Sequence, residues 1–214
     1  MSSSKEVGEF FDGYASGFDS LYGHSDKRGI IGRFIDRNFR AVMKERFAKT
    51  LFYTGNSDIS SVLDIGCGPG HYCLEFVKQG KKVMGIDISE EMLKIADRKT
   101  KSTEGDIEYI HANYEHYILN EKFDAACLMG FFDYIQNPVS IFNKLKKDIN
   151  TEIYSSFPKN KGFLIFQRKI RYYLRGCPLF TYTKKDIQEM MSQSEIDNYE
   201  IQDLGRDFFL KINL

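Results

Sequence analysis

Ten consecutive residues constrain this chain more than any others: Val62-Leu63-Asp64-Ile65-Gly66-Cys67-Gly68-Pro69-Gly70-His71. The apolar run with one acid inside it reads as a buried strand. The three alternate glycines that end the run demand a turn whose backbone takes conformations closed to other residues. An amphipathic stretch begins at His71 and stops at Gly80, so the turn delivers the chain into a helix N-terminus with free amide donors. A second apolar run, 82–87, ends on Asp87, whose carboxylate is placed to accept both hydroxyls of a ribose. Strand, glycine turn, helix, strand and acid together describe a nucleoside-binding unit.

The pattern continues to the end of the chain. Ser89 suits a helix N-cap, with Glu90 and Glu91 facing the positive end of the dipole and Met92, Leu93, Ile95 and Ala96 forming the buried stripe. Strands are expected at 107–111, 123–128 and 152–155, and Pro138 opens a helix running through 147. Thr183-Lys184-Lys185-Asp186 has the form of a capping box for a helix to about 192, and segments 199–204 and 207–213 flank Gly205-Arg206, a two-residue hairpin signal. This alternation predicts an α/β fold, a Rossmann-like doubly wound sheet that is mostly parallel with a C-terminal antiparallel hairpin. Residues 1–60 hold no convincing strand, and 30–52 reads as one long or two short amphipathic helices. The expected division is therefore a helical lid segment over 1–60 and a sheet domain over 61–214.

With 214 residues, 42% of them hydrophobic, the chain can bury a core without a disulfide or metal staple. Cys67, Cys73, Cys127 and Cys177 match neither a paired knuckle nor a disulfide framework and read as reduced thiols of a cytoplasmic protein. The start carries acidic residues and no apolar core, unlike a secretory signal. The longest uncharged apolar run, 125–132, is far below the ~20 residues that span a bilayer. His24, His71, His111 and His116 lack ligand spacing, and no metal is expected. The 30 basic and 30 acidic residues cancel, which disfavours a large polyanionic partner, but they are not evenly spread: residues 144–185 carry 11 basic groups against 2 acidic ones.

A dinucleotide fingerprint would need glycine at position 71, which is His71. The GxGxG turn with an acid before it instead resembles the class I S-adenosylmethionine-dependent methyltransferases, and the resemblance extends from Ser61 to the C-terminus. It implies S-adenosylmethionine as cofactor. Asp64 and the loop Gly66, Cys67, Gly68 and Gly70 would surround its methionine portion, Asp87 would hold the ribose, and Ile88 would lie against the adenine. Asn113 stands where relatives have an aspartate, followed by Tyr114. Gly130 would lie near the reacting methyl group, and Phe131 and Phe132 near the acceptor. Asp133 reads as a helix N-cap or a general base, and Tyr134 as a second candidate catalytic group. Phe11-Asp12-Gly13-Tyr14 resembles the entry segment that folds over the cofactor in small-molecule methyltransferases, with Tyr14 beside it. Simpler roles stay open for each: Asp64 and Asp87 as helix caps, the glycines as a tight turn, and the aromatics as packing.

The basic stretch, as a helix inserted at about 159–176, would put Arg168, Arg171 and Arg175 on one face, suited to pairing with phosphate or carboxylate. A solvated face is the alternative. Phe157-Pro158-Lys159 and the residues just after it have a weaker similarity to magnesium-protoporphyrin O-methyltransferases, again implying an acidic acceptor. The expected activity is methyl transfer to oxygen of a small anionic or aromatic acceptor. An RNA or other nucleic-acid methyltransferase and a catalytically silent cofactor-binding regulatory subunit are the alternatives, and nucleic acid is disfavoured by overall neutrality and by Gly130-Phe131-Phe132-Asp133 where a base-handling motif would stand.

Overall fold

The computed structural model describes residues 7–13, 30–55, 58–160 and 178–214, with side chains from residue 41 onward in the 30–55 helix. Helix α1 covers 7–13. Helix α2, Ile30–Gly55, is a single 26-residue element. The remaining elements are β1 (Ser61–Ile65), α3 (His71–Lys78), β2 (Lys82–Asp87), α4 (Glu90–Thr100), β3 (Ile107–His111), β4 (Phe123–Leu128), a 3₁₀ turn at Phe132–Tyr134, α5 (Pro138–Asp148), β5 (Ile149–Pro158), α6 (Lys184–Gln193), β6 (Tyr199–Asp203) and β7 (Asp207–Asn213).

The seven strands lie in the order β3-β2-β1-β4-β5-β7-β6. Every pairing from β3 to β5 is parallel, while β7 runs antiparallel to both β5 and β6. The chain winds outward from β1 to β3 and then restarts on the other side of β1, which opens a crevice beyond the carboxyl ends of β1 and β4. The glycine turn sits at that crevice.

Local chemistry sets the elements as the sequence implies. Ser89 Oγ accepts Met92 N–H at 3.2 Å, and Thr183 and Asp186 close a reciprocal capping box. Gly80, at φ +76°, ends the α3 region by donating to Val77 O. The hairpin loop starts one residue earlier than expected, because β6 stops at Asp203 and Leu204 N–H is taken by Asp207 O. Strand β5 is longer than the expected 152–155, since β4 and β7 pair with it from Ile149 to Pro158.

Strand alternation makes two cores. Toward α5 and α6 the sheet turns Leu63, Ile65, Ile86, Leu128, Ile153, Phe157, Leu210 and Ile212. Toward α2 and α3 it turns Val62, Val83, Ala125, Cys127, Tyr154 and Phe209. Helix α2 covers this second face by placing Phe47 against Tyr72 at 4.8 Å and stacking Tyr53 on Tyr154 at 5.9 Å. Among the described residues no helix is long and apolar enough to cross a membrane.

Candidate functional site

The turn after β1 is built from three left-handed glycines, Gly66, Gly68 and Gly70, and two of them show what the motif is for. A Cβ on Gly70 would fall 2.7 Å from Tyr109 Oη and 2.8 Å from Ala96 Cβ, so this glycine lets α3 pack close to α4 and β3. A Cβ on Gly68 would meet nothing within 4 Å among the described residues. Its φ of +53° requires glycine, yet the space above it is open, which is where a ligand can approach bare backbone.

Asp87 faces the same space from the end of β2. Its Oδ2 accepts Gly68 N–H and its Oδ1 accepts Ser89 N–H, both at 2.8 Å. Burial pushes its carboxyl above the ordinary value, opposed by these backbone donors. A carboxylate so fixed keeps lone pairs for ribose hydroxyls. The turn and the acid therefore have room and donor chemistry for a nucleoside.

Asp64 lies beneath the turn, 2% exposed. Its Oδ2 accepts the Cys73 thiol at 3.2 Å. Burial pushes the carboxyl up to about 7, opposed by hydrogen bonds from Cys73 and Cys127. Cys67, Cys73 and Cys127 are free, buried thiols, and burial pushes all three up, Cys67 to about 11. They serve as weak donors and apolar filling rather than as nucleophiles.

On the far wall His111 Nε2–H donates to Ile88 O at 3.0 Å, which holds the half-buried Ile88 beside Asp87. The Asn113 oxygen already accepts Glu115 N–H at 2.9 Å, and one lone pair remains for an adenine amino group. The Tyr114 side chain corrects the sequence expectation. It is 2% exposed in the α5 core, and its hydroxyl donates to Asp148 at 2.8 Å, so only its backbone can face the crevice.

The segment after β4 forms the opposite wall. Gly130, at φ +76°, donates its N–H to Ser156 Oγ at 2.9 Å, and Arg46 Nη2 stands 3.7 Å from where its Cβ would be. Phe131 lies against the glycine turn, its ring 3.0 Å from a Cβ built on Gly66. Phe132 is fully buried, stacked on Phe157 at 4.5 Å and Phe142 at 5.1 Å, and this packing leaves no ring face for an acceptor. Asp133 is likewise not an N-cap: Phe131 holds that position, and Asp133 lies inside the turn, 5% exposed, with its carbonyl accepting Phe180 N–H.

Two residues whose roles the sequence did not announce complete the surroundings. Arg46 of α2 donates to Ser156 Oγ at 3.2 Å and pairs with Asp207 at 3.3 Å, both beside Gly130. Asp12 of α1 accepts the Ser89 hydroxyl at 2.6 Å and Glu91 N–H at 3.3 Å, while Phe11 sets its ring edge on Tyr134 at 5.2 Å. Neither role has a periodic signal, because the partners lie far away in sequence. Tyr14, Arg168, Arg171, Arg175 and Cys177 lie outside the described residues. The described ends of the basic insertion are joined beside the acceptor wall: Lys159 bridges Tyr182, and Tyr182 Oη donates to Phe132 O and Ile135 O.

Residues 62–148 match the family model described as "Methyltransferase domain". The chain is 25% identical over 148 residues to a ubiquinone biosynthesis O-methyltransferase of Actinobacillus pleuropneumoniae, covering 64% of this chain and 62% of that one. It is 32% identical over 92 residues to the protein of the same name from Pseudoalteromonas translucida, covering 42% and 39%. The chain thus spans about three fifths or less of the length of these curated relatives. Magnesium protoporphyrin IX methyltransferase from Synechocystis PCC 6803, in a structure with bound SAH, superposes with a TM-score of 0.74 over 97% of both chains at 18% identity. The same protein with bound SAM gives 0.72 over 100% of this chain and 97% of that one at 17% identity.

Sheet order, glycine turn and family model agree on a class I methyltransferase fold. Residues 62–148 match a methyltransferase domain, and the sheet has the fold of the superposed magnesium protoporphyrin IX methyltransferase, which carries SAM or SAH in those structures.

Proposed function

We propose that this chain transfers a methyl group from S-adenosylmethionine to an oxygen of a small anionic or aromatic acceptor. The observation that carries the reading is the open backbone at Gly68 with Asp87 fixed across from it. S-adenosylmethionine supplies a sulfonium-bound methyl group already activated toward nucleophiles. Asp87 holds the ribose, the Gly66–Gly70 turn and Asp64 surround the methionine portion, and Ile88 and Asn113 border the adenine. Gly130 and Phe131 bound the space in which an acceptor aligns. Alignment of two bound reactants supplies ~7–11 kcal/mol in well-oriented systems, so a dedicated base is needed only for a protonated nucleophile. Asp133 and Tyr134 are the nearest candidates on that wall.

The insertion supports an anionic acceptor. Its ends meet beside the 3₁₀ turn through the Lys159–Tyr182 bridge, and its sequence carries Arg168, Arg171 and Arg175 between them. Helix α1 and the segment through Tyr14 act as the lid.

Calorimetry with S-adenosylmethionine tests the cofactor half. Gly68→Arg fills the open space and is expected to abolish binding, and Asp87→Ala to weaken it about 10- to 100-fold, the loss of hydrogen bonds to a charged group. Unchanged affinity in Gly68→Arg would sink the reading, as would tight NADH binding in its place. Formation of S-adenosylhomocysteine in the presence of small carboxylates, phosphates and phenols tests the acceptor half.

A further inference from the structure

Helix α1 touches both walls of the crevice at once. Gly8 lies on Ile88, its Cβ position 3.4 Å from Ile88 O, and Asp12 reaches Ser89 Oγ at 2.6 Å and Glu91 N–H at 3.3 Å, all just beyond β2. Phe11 meets Tyr134 at 5.2 Å, just beyond β4. Strand β1 lies between β2 and β4, so a helix anchored at both must pass over the end of β1 and its glycine turn.

We infer that Asp12 is a positioning residue whose contact with Ser89 and Glu91 latches α1 across the cofactor crevice, and that cofactor exchange requires this latch to open. The inference rests on the cofactor reading above. Ser89 is suited to the part because its oxygen caps α4 by accepting Met92 N–H while its proton goes to Asp12. The Asp12 carboxylate also lies at the positive end of α4. The side chain is exposed, so the contact opens without unpacking a core. At the other end of the helix Val7 is 6% exposed, which leaves α1 seated at one end and latched at the other.

The test is the dissociation rate of S-adenosylhomocysteine from the full chain, followed by displacement with excess S-adenosylmethionine. Asp12→Ala is expected to release it about tenfold faster. Asp12→Asn keeps an acceptor oxygen and stays within about threefold of the unsubstituted protein. Ser89→Asp preserves the helix cap but sets a carboxylate against Asp12, and is expected to release at least as fast as Asp12→Ala. Adding Asp12→Asn to it restores slow release, because the amide donates to the new carboxylate; a purely structural role would make the two changes add. Removal of residues 1–13 provides a second measure, with the same acceleration expected. Unchanged release in Asp12→Ala and in the truncated chain, both still binding S-adenosylhomocysteine, overturns the latch. Failure of the unsubstituted protein to bind it overturns the cofactor reading itself.

Discussion

The two faces of the sheet differ in what they bury. Toward α5 and α6, Ser155 is the one buried polar side chain sent by the strands among the described residues, and Phe132, Phe142 and Phe157 stack at the centre. Toward α2 and α3 the strands bury Asp64, Ser156 and Asp207, and α2 adds Arg46. Polar groups in a core are costly unless each is partnered. On the second face each has a partner, Arg46 with Ser156 and Asp207, and Asp64 with Cys73, so the polar groups are held there as pairs.

The largest expected effect is on the apolar side. Phe132→Ala removes a fully buried ring packed against Phe142 and Phe157 and is expected to cost about 3–5 kcal/mol in chemical denaturation. That cost should not vary between pH 6 and 8, as the aromatic neighbours of the ring among the described residues, Phe131, Phe142 and Phe157, carry no titratable group. A cost below about 1 kcal/mol would mean that the stack is not the anchor of this face.

The fold was legible where short-range chemistry decides it. Ser89 and the Thr183–Asp186 box announce helix starts through contacts three residues long, and the glycine turn and strand-ending Asp87 fix the crevice. What was not legible depends on long-range packing. Phe131 and Phe132 are adjacent and chemically alike, yet the 3₁₀ turn sends one toward Gly66 and the other into the core. Tyr114 follows Asn113 but turns back to Asp148. The ends of β5, beyond the expected 152–155, are set by pairing with β4 from Ile149 and with β7 to Pro158. Arg46 and Asp12 find their partners 110 and 161, and 77 and 79, positions away, and no local pattern encodes such pairs.

A second, smaller effect lies on the polar face. Arg46→Met strands Asp207, 7% exposed, without this cation and is expected to cost about 3 kcal/mol. Arg46→Met combined with Asp207→Asn should recover most of that loss, because both charges then leave the core together. A double-mutant cycle in urea measures the coupling, and strict additivity would show that the pair is not joined as its 3.3 Å contact implies.

The smallest effect is the most specific to the polar face. Burial holds the Asp64 carboxyl near 7, above its unfolded value of 3.8. The folded protein then binds a proton that the unfolded chain has released, so stability falls as pH rises from the unfolded value through 7. Between pH 6 and 8 the loss from this group is about 1.4 kcal/mol. Asp64→Asn, which keeps the acceptor for the Cys73 thiol, is expected to abolish that slope and leave the mutant relatively more stable at pH 8. Ligand binding should show the opposite sign: a cationic cofactor above Asp64 favours the ionised acid, so S-adenosylmethionine binds more weakly as pH falls below 7. S-adenosylhomocysteine, without the sulfonium charge, should show a shallower dependence. Denaturation and calorimetry at pH 6, 7 and 8 on both proteins read the two signs separately. Parallel slopes in Asp64→Asn and the unsubstituted chain would assign the titration to another group and remove the electrostatic contrast between the two faces.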